Sequence, residues 1–263
     1  MSEHACSGCG KGCGGGHAPT EPQKSVPNAL SRIKKVIGVT SGKGGTGKSL
    51  VTALLATGLL RRGKQVAILD ADIAGPTIPQ MFHLPQSVTR GEEGFYPALS
   101  DGGLKVMSIS MLTENELDIV STRGLVMAGI AEQFWIDVVW DQVDCLLIDF
   151  PPGLEDITQF AFEQLPLEGL ILVTTPQELV NQAVRRTIHM AQTNRVPVLG
   201  LVENFNNSFS GSAAEAVSRE FALPILDSLP LDPRLSKAAD TGGMEGLEGS
   251  YLPNTISLIE DLL

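Results

Sequence analysis

Gly42-Lys43-Gly44-Gly45-Thr46-Gly47-Lys48-Ser49 is the stretch from which the rest of this 263-residue chain is read. It fits G-x-x-x-x-G-K-[ST], the phosphate-binding loop of nucleoside triphosphatases, in which glycines let backbone N–H groups close around phosphate oxygens. Lys35-Val36-Ile37-Gly38-Val39-Thr40 ahead of it has the composition of a buried strand, and residues 49–60 after it read as an apolar helix. Strand, glycine-rich loop and helix N-terminus in that order form an anion site, because unpaired N–H groups and the positive end of the helix dipole converge there. A glycine-rich turn that binds nothing needs none of that context. The pattern makes Gly42, Lys43, Gly44, Gly45, Thr46, Gly47, Lys48 and Ser49 the expected ATP-binding residues. Lys48 reaches the β- and γ-phosphates, and the Ser49 hydroxyl ligates Mg²⁺. Lys43 is a second lysine, at a position where an ordinary phosphate loop prescribes no residue.

Aliphatic residues dominate and aromatics make up 5% of the chain, as parallel strands covered by helices on both faces require. The length suits one α/β domain or two small ones. A formal charge of −11 argues against a broad nucleic-acid or anionic-membrane surface. No apolar run reaches the roughly 20 residues that span a bilayer, and the polar, glycine-rich start lacks the apolar core of a secretory signal. The expectation is a soluble cytoplasmic protein without a nucleic-acid or membrane partner.

Three of the four cysteines, Cys6, Cys9 and Cys13, fall within the first thirteen residues, and Cys145 lies in an apolar strand. Cys145 reads as a packed core thiol. The spacing C-x₂-C-x₃-C suits ligands for a soft metal or an iron–sulfur cluster in a reducing compartment. The alternative is a flexible tail with incidental thiols. Three thiolates are one short of a four-thiolate set, and His4 and His17 flank them. Gly8, Gly10 and Gly12 free the turns between the cysteines, so the tail is able to wrap one cluster, with [4Fe-4S] favoured.

Residues 1–27, rich in Gly, Pro and polar side chains, read as a flexible tail, and 28–263 as one folded domain. A lead-in turn or helix is expected over 28–34, and the first helix stops at Arg61-Arg62-Gly63. Gln65-Val66-Ala67-Ile68-Leu69-Asp70 is the next strand and runs into Asp70-Ala71-Asp72-Ile73-Ala74-Gly75-Pro76-Thr77, acidic residues at the ligand-facing end of a parallel strand. A short strand over 104–109, a polar stretch over 111–123 and a helix over 124–134 follow. Asp144-Cys145-Leu146-Leu147-Ile148-Asp149-Phe150-Pro151-Pro152-Gly153 is an apolar strand ending in an aspartate that approaches Mg²⁺, with a turn placed to sense the γ-phosphate. Strands at 170–174, 198–203 and 225–229 then alternate with helices at 178–191, 213–221 and 256–263. This alternation predicts a single doubly wound α/β domain, a mostly parallel sheet with helices on both faces.

These segments resemble the Mrp-type ATPases, cytoplasmic iron–sulfur cluster carrier and assembly proteins within the MinD/ParA branch of phosphate-loop proteins, over about residues 30–240. Lys43-Gly44-Gly45-Thr46-Gly47-Lys48 resembles that branch's variant loop, Asp70 to Thr77 its first switch and Asp149 to Gly153 its second. Arg123-Gly124 is similar to a Trp-Arg-Gly segment without the tryptophan, and Val173 to Glu178, Val202-Glu203-Asn204 and Pro230-Leu231-Asp232-Pro233 follow further family segments. The resemblance implies a slow Mg²⁺-dependent ATPase and an ATP-linked homodimer in which Lys43 crosses to the partner's nucleotide. It further implies that Asp72 orients the attacking water, that Asn204 and the Pro230 segment contact adenine, and that recipient apoproteins accept the cluster.

The family usually carries a Cys-x-x-Cys pair after the Val-Glu-Asn segment. Here Phe205-Asn206-Asn207-Ser208-Phe209-Ser210-Gly211 has no cysteine, so only the tail can supply clustered thiolates. Three readings stand: a cluster carrier, a MinD/ParA-like positioning ATPase, and a regulatory ATP-dependent module without a metal of its own. The acidic end Ser257-Leu258-Ile259-Glu260-Asp261-Leu262-Leu263 speaks against the second, because anionic lipid would repel it.

Overall fold

The computed structural model describes residues 24–73, 75–85, 87–112, 127–153, 156–206 and 213–263. Cys6, Cys9, Cys13, His4, His17 and Arg123-Gly124 lie outside the described residues.

The strands are β1 (Arg32–Ser41), β2 (Val66–Asp70), β3 (Thr89–Arg90), β4 (Phe95–Tyr96), β5 (Ala98–Leu99), β6 (Lys105–Ser108), β7 (Gln142–Asp149), β8 (Gly169–Thr174), β9 (Val198–Asn204) and β10 (Ile225–Leu229). Eight of them form one sheet in the order β10-β9-β8-β1-β7-β2-β6-β5, and β3 pairs with β4 separately. Every pairing in the large sheet is parallel except β5 with β6. This is the mostly parallel, doubly wound sheet that the alternation predicts.

Successive side chains of a strand point to opposite faces, and the core divides accordingly. Ile37, Val39, Ile68, Cys145 and Leu147 pack on one face with helix α1 (Lys48–Arg61) and the terminal helix Pro253–Leu262. Val36, Ala67, Leu69, Leu146 and Ile148 pack on the other with Phe134 and Trp135 of helix Met127–Asp137 and Phe162 of helix Asp156–Gln164. The central strands are apolar without alternation because both faces are covered. At Gly38 a Cβ would stand 2.5 Å from Leu170 Cδ2 and 2.7 Å from Phe150 Cε2, so the missing side chain lets the Phe150–Phe162 edge-to-face pair lie against the middle of β1.

Several boundaries differ from expectation. The lead-in is a turn, with Asn28 accepting from Leu30 N at 3.0 Å, and β1 starts at Arg32, whose N–H donates to Asp141 O at 2.7 Å. Helix Asp156–Gln164 and helix Pro233–Thr241 are additional to the elements that the alternation predicts. The second has a legible signature, since Asp232 caps the N–H of Arg234 at 2.9 Å, Pro233 opens the helix and Gly242 closes it at φ 74°. The terminal helix begins at Pro253, three residues earlier than expected.

The residues leading into β1 are fastened to the second face. Lys24 Nζ donates to Phe162 O and Glu163 O, both at 3.0 Å, and Ser25 N donates to Gln164 O at 2.8 Å. The Trp135 indole N–H donates to Ser25 O at 2.9 Å. Among the described residues no helix is long and apolar enough to cross a membrane.

Candidate functional site

The glycine-rich loop leaves the C-terminal end of β1, the middle of the sheet, and turns directly into α1. Gly47 precedes the helix at φ 80°, ψ 26°, and Gly45 sits at φ 79°, left-handed conformations that glycine adopts without penalty. A Cβ at Gly45 would meet no atom within 4 Å, and one at Gly44 only Pro152 Cγ at 3.9 Å, so this part of the loop opens on space. Gly42 behaves differently: its Cβ would lie 2.7 Å from Val184 N and 2.8 Å from Val180 O. That glycine serves close packing on helix Glu178–Thr193. The loop is tied down by Ser41 Oγ donating to Lys43 O at 2.9 Å, Gly153 N to Ser41 O at 2.8 Å, and Asn204 Nδ2 to Thr46 O at 2.9 Å. A cavity of about 250 Å³ lies over it, lined among others by Lys43, Lys48, Ser49, Asp72, Thr77 and Pro152.

Asp149 ends β7 under this cavity and is fully buried. Its Oδ2 accepts from Lys48 Nζ at 2.8 Å and Ser49 Oγ at 2.6 Å, and its Oδ1 from Thr52 Oγ1 at 2.7 Å. Asp72 approaches the same ammonium, Oδ2 to Nζ 3.6 Å. Asp70 pairs in register with Asp149 on β7 and with Ser108 on β6. It accepts from Asp72 N at 3.2 Å, Ile78 N at 3.3 Å and Ser108 Oγ at 3.3 Å, bracketing the segment that carries Asp72. Burial, then the neighbouring Asp149 carboxylate, pushes the Asp70 carboxyl up to about 7 against the opposing pull of Lys48.

A second cavity of about 300 Å³ adjoins the loop at Gly44, Gly45 and Thr46 and is closed by Thr175, Gln177, Val180, Phe205 and Leu231. Its walls are the ends of β8 and β9 and the turn after β10. The Thr175 hydroxyl is buried with no partner among the described residues. Asn204, expected at adenine, is buried beneath the loop with both amide atoms engaged, Nδ2 to Thr46 O and Oδ1 from Phe205 N at 3.0 Å. Within the Pro230 segment Pro230 is exposed and Leu231 is the residue on the cavity wall.

The adjacent Lys48 and Ser49 thus meet Asp72 and Asp149, brought from two later stretches of the chain, in one place. Lys43 is exposed on the rim and makes no ion pair with another described residue. Thr52, Ser108, Thr175 and Phe205 escaped the sequence reading. Thr52 had a signal, four residues beyond Lys48 and hence on its helix face. Ser108 joins the site only through strand register, and Thr175 and Phe205 through the turns that follow β8 and β9. Ser49 Oγ and the Asp149 carboxylate form an all-oxygen set beside the cavity, donors that fit a hard cation such as Mg²⁺. Cys145 lies in the core, its thiol pushed up to about 12 by burial. Among the described residues no group of three or more His, Cys, Asp or Glu side chains is arranged to hold a metal ion.

A central strand, a glycine-rich loop opening into a helix N-terminus, and carboxylates at the ends of the two next strands define a doubly wound phosphate-loop NTPase. Within that class the chain belongs to the ParA family, since residues 32–250 match the family model described as "NUBPL iron-transfer P-loop NTPase". The iron-sulfur cluster carrier protein of Clostridium perfringens is 38% identical over 258 residues, covering 91% of this chain and 90% of that protein. A cytosolic Fe-S cluster assembly factor, the NUBP2 homolog of Monosiga brevicollis, is 37% identical over 241 residues, covering 86% of this chain and 85% of that one. Among solved structures, the nucleotide-binding protein of Archaeoglobus fulgidus in complex with ADP superposes with a TM-score of 0.71 at 36% identity, covering 84% of this chain and 91% of its own. The septum site-determining protein MinD of Pyrococcus horikoshii, complexed with Mg-ADP, gives 0.66 at 21% identity, covering 88% and 96%, a likeness of fold.

Proposed function

We propose that this protein is an Mg²⁺-dependent ATPase that carries an iron–sulfur cluster and transfers it to recipient apoproteins. The observation that carries the nucleotide half is the convergence of Lys48, Ser49 and Asp149 beneath an open glycine loop. The relatives' names support the cargo half. Lys48 is held by two carboxylates, and a triphosphate entering the loop offers its ammonium a larger negative charge. Ser49 and Asp149 would hold Mg²⁺, whose chemistry is to draw charge off the phosphate oxygens. Asp72, tethered through Asp70, is positioned to orient the water that attacks the γ-phosphorus as the bond to the bridging oxygen breaks. The cavity closed by Thr175, Phe205 and Leu231 suits the base. Exposed Lys43 is available to a second copy's nucleotide in an ATP-linked homodimer.

The cluster is the cargo. Cys145, buried and with its thiol raised, makes a poor ligand, which leaves Cys6, Cys9 and Cys13 as the thiolates. The positioning-ATPase alternative is weakened by the terminal helix: Thr255, Ile256 and Ile259 are spent on the core, and Glu260 pairs with Lys64 at 3.2 Å and with Arg62. A face already packed cannot also lie in lipid.

Anaerobic reconstitution with iron and sulfide counting, on the wild type and on a variant with Cys6, Cys9 and Cys13 changed to serine, tests this function. The wild type is expected to hold iron and sulfide and to turn over ATP. The triple variant is expected to lose the iron and keep the turnover. Full iron content in the triple variant refutes tail ligation, and an iron-free wild type favours the regulatory module.

A further inference from the structure

We infer that Thr52 is a positioning residue for the nucleotide reaction, its hydroxyl fixing the Asp149 carboxylate while Lys48 and Ser49 turn to the ligand. The inference rests on the Mg²⁺-nucleotide reading proposed above. Thr52 is fully buried on α1, three residues after Ser49 and four after Lys48, so all three stand on one helix face toward the end of β7. Its Oγ1 lies 2.7 Å from Asp149 Oδ1 and 3.1 Å from Lys48 O. A hydroxyl has one proton to give, and the nearer, anionic acceptor takes it. Thr57 and Thr187, by contrast, make only the local bond to the carbonyl four residues back, to Ala53 O at 2.9 Å and to Ala183 O at 3.3 Å. Thr52 alone of these three also reaches across to another element.

The two carboxylate oxygens are held by partners of different kinds. Lys48 and Ser49, both on Oδ2, are the side chains that a phosphate and its cation recruit. Thr52, on Oδ1, points away from the loop's open side into the core and has no such competitor. Rotation about the Asp Cβ–Cγ bond is soft, so a carboxylate that loses its Oδ2 partners is aimed only by what remains on Oδ1. Thr52 therefore carries the orientation of Asp149 from the empty site to the loaded one. A packing role alone would be filled as well by valine, which has the same shape and no hydroxyl.

The test is ATP binding, measured by calorimetry on the full chain with Mg²⁺ and then with EDTA, for wild type, T52V and T52S. In EDTA all three are expected to bind ATP within about two-fold of one another, because no phosphate contact has changed. The tightening that Mg²⁺ brings is expected to fall by about ten-fold in T52V, the worth of one hydrogen bond to a charged group, and to return in T52S. Should T52V fail to fold, T52A, which also lacks the hydroxyl and needs less room, gives the same comparison. Wild-type tightening in the folded T52V or T52A, or a T52S as defective as they are, overturns the inference alone. A wild type whose ATP affinity ignores Mg²⁺ overturns the nucleotide reading and this inference with it.

Discussion

Changing Asp70 to asparagine should abolish a pH dependence of stability that the wild type carries between about pH 4 and 7. The carboxyl has an ordinary value of 3.8 in the unfolded chain and about 7 in the folded one, raised first by burial and then by Asp149 on the adjoining strand. Between those values the folded protein holds a proton that the unfolded chain has released, so the slope of unfolding free energy with pH is negative. The contribution is fully present below the unfolded value, declines by about 1.4 kcal/mol per pH unit, and is lost once the pH passes the folded value. The whole interval amounts to about 4 kcal/mol, an upper figure because Asp70 and Asp149 share their electrostatic cost. Asparagine keeps the shape and retains a carbonyl oxygen able to accept from Asp72 N or Ile78 N, but it cannot ionise. Urea unfolding of both proteins in EDTA at half-unit steps from pH 4.5 to 8 gives the difference between them, in which the histidines and the carboxylates away from Asp70 cancel. That difference should grow in favour of D70N by several kcal/mol as the pH rises. A difference that stays level within about 1 kcal/mol refutes the argument, since a carboxyl titrating alike in both states contributes no slope.

Replacing Lys48 by methionine should abolish ATP binding and also lower stability without any ligand, by about 3–5 kcal/mol, because Asp149 stays buried with its cation removed. An unchanged urea midpoint at pH 8 in the nucleotide-free protein contradicts the pairing. Gly38→Ala puts a methyl 2.5 Å from Leu170 and 2.7 Å from Phe150 and should cost about 1–3 kcal/mol through overpacking. A melting temperature equal to the wild type's shows that the Phe150 ring yields without strain.

The relation between chain and site is clearest at the loop. Strand, glycines and helix N-terminus are neighbours in sequence, so the motif and the anion site it makes were both legible before any fold was known. The apolar runs of β7 and β8 were equally plain, because strands covered on both faces need unbroken aliphatic stretches. Short amphipathic helices were the weak point: Asp156–Gln164 follows a Pro-Pro-Gly turn and offers barely two turns of periodicity.

What the sequence by itself determined is therefore the set of local devices: the glycine loop, the aspartates that end strands, the alternation that makes a doubly wound sheet, and the clustered cysteines. Only the tertiary structure decided the company of the loop and the aspartates. The order β8-β1-β7-β2-β6 brings Asp149, Asp70 and Ser108 side by side at the ends of β7, β2 and β6, although Asp70 and Asp149 stand far apart in the chain. It likewise decided that Gly42 is needed by a helix more than a hundred residues later, and that Asn204 supports the loop from below while Phe205 and Leu231 form the cavity wall. The physical reason is that backbone preference and periodicity act over a few residues, whereas strand order and register are selected by how whole apolar faces pack, a property of the assembled sheet.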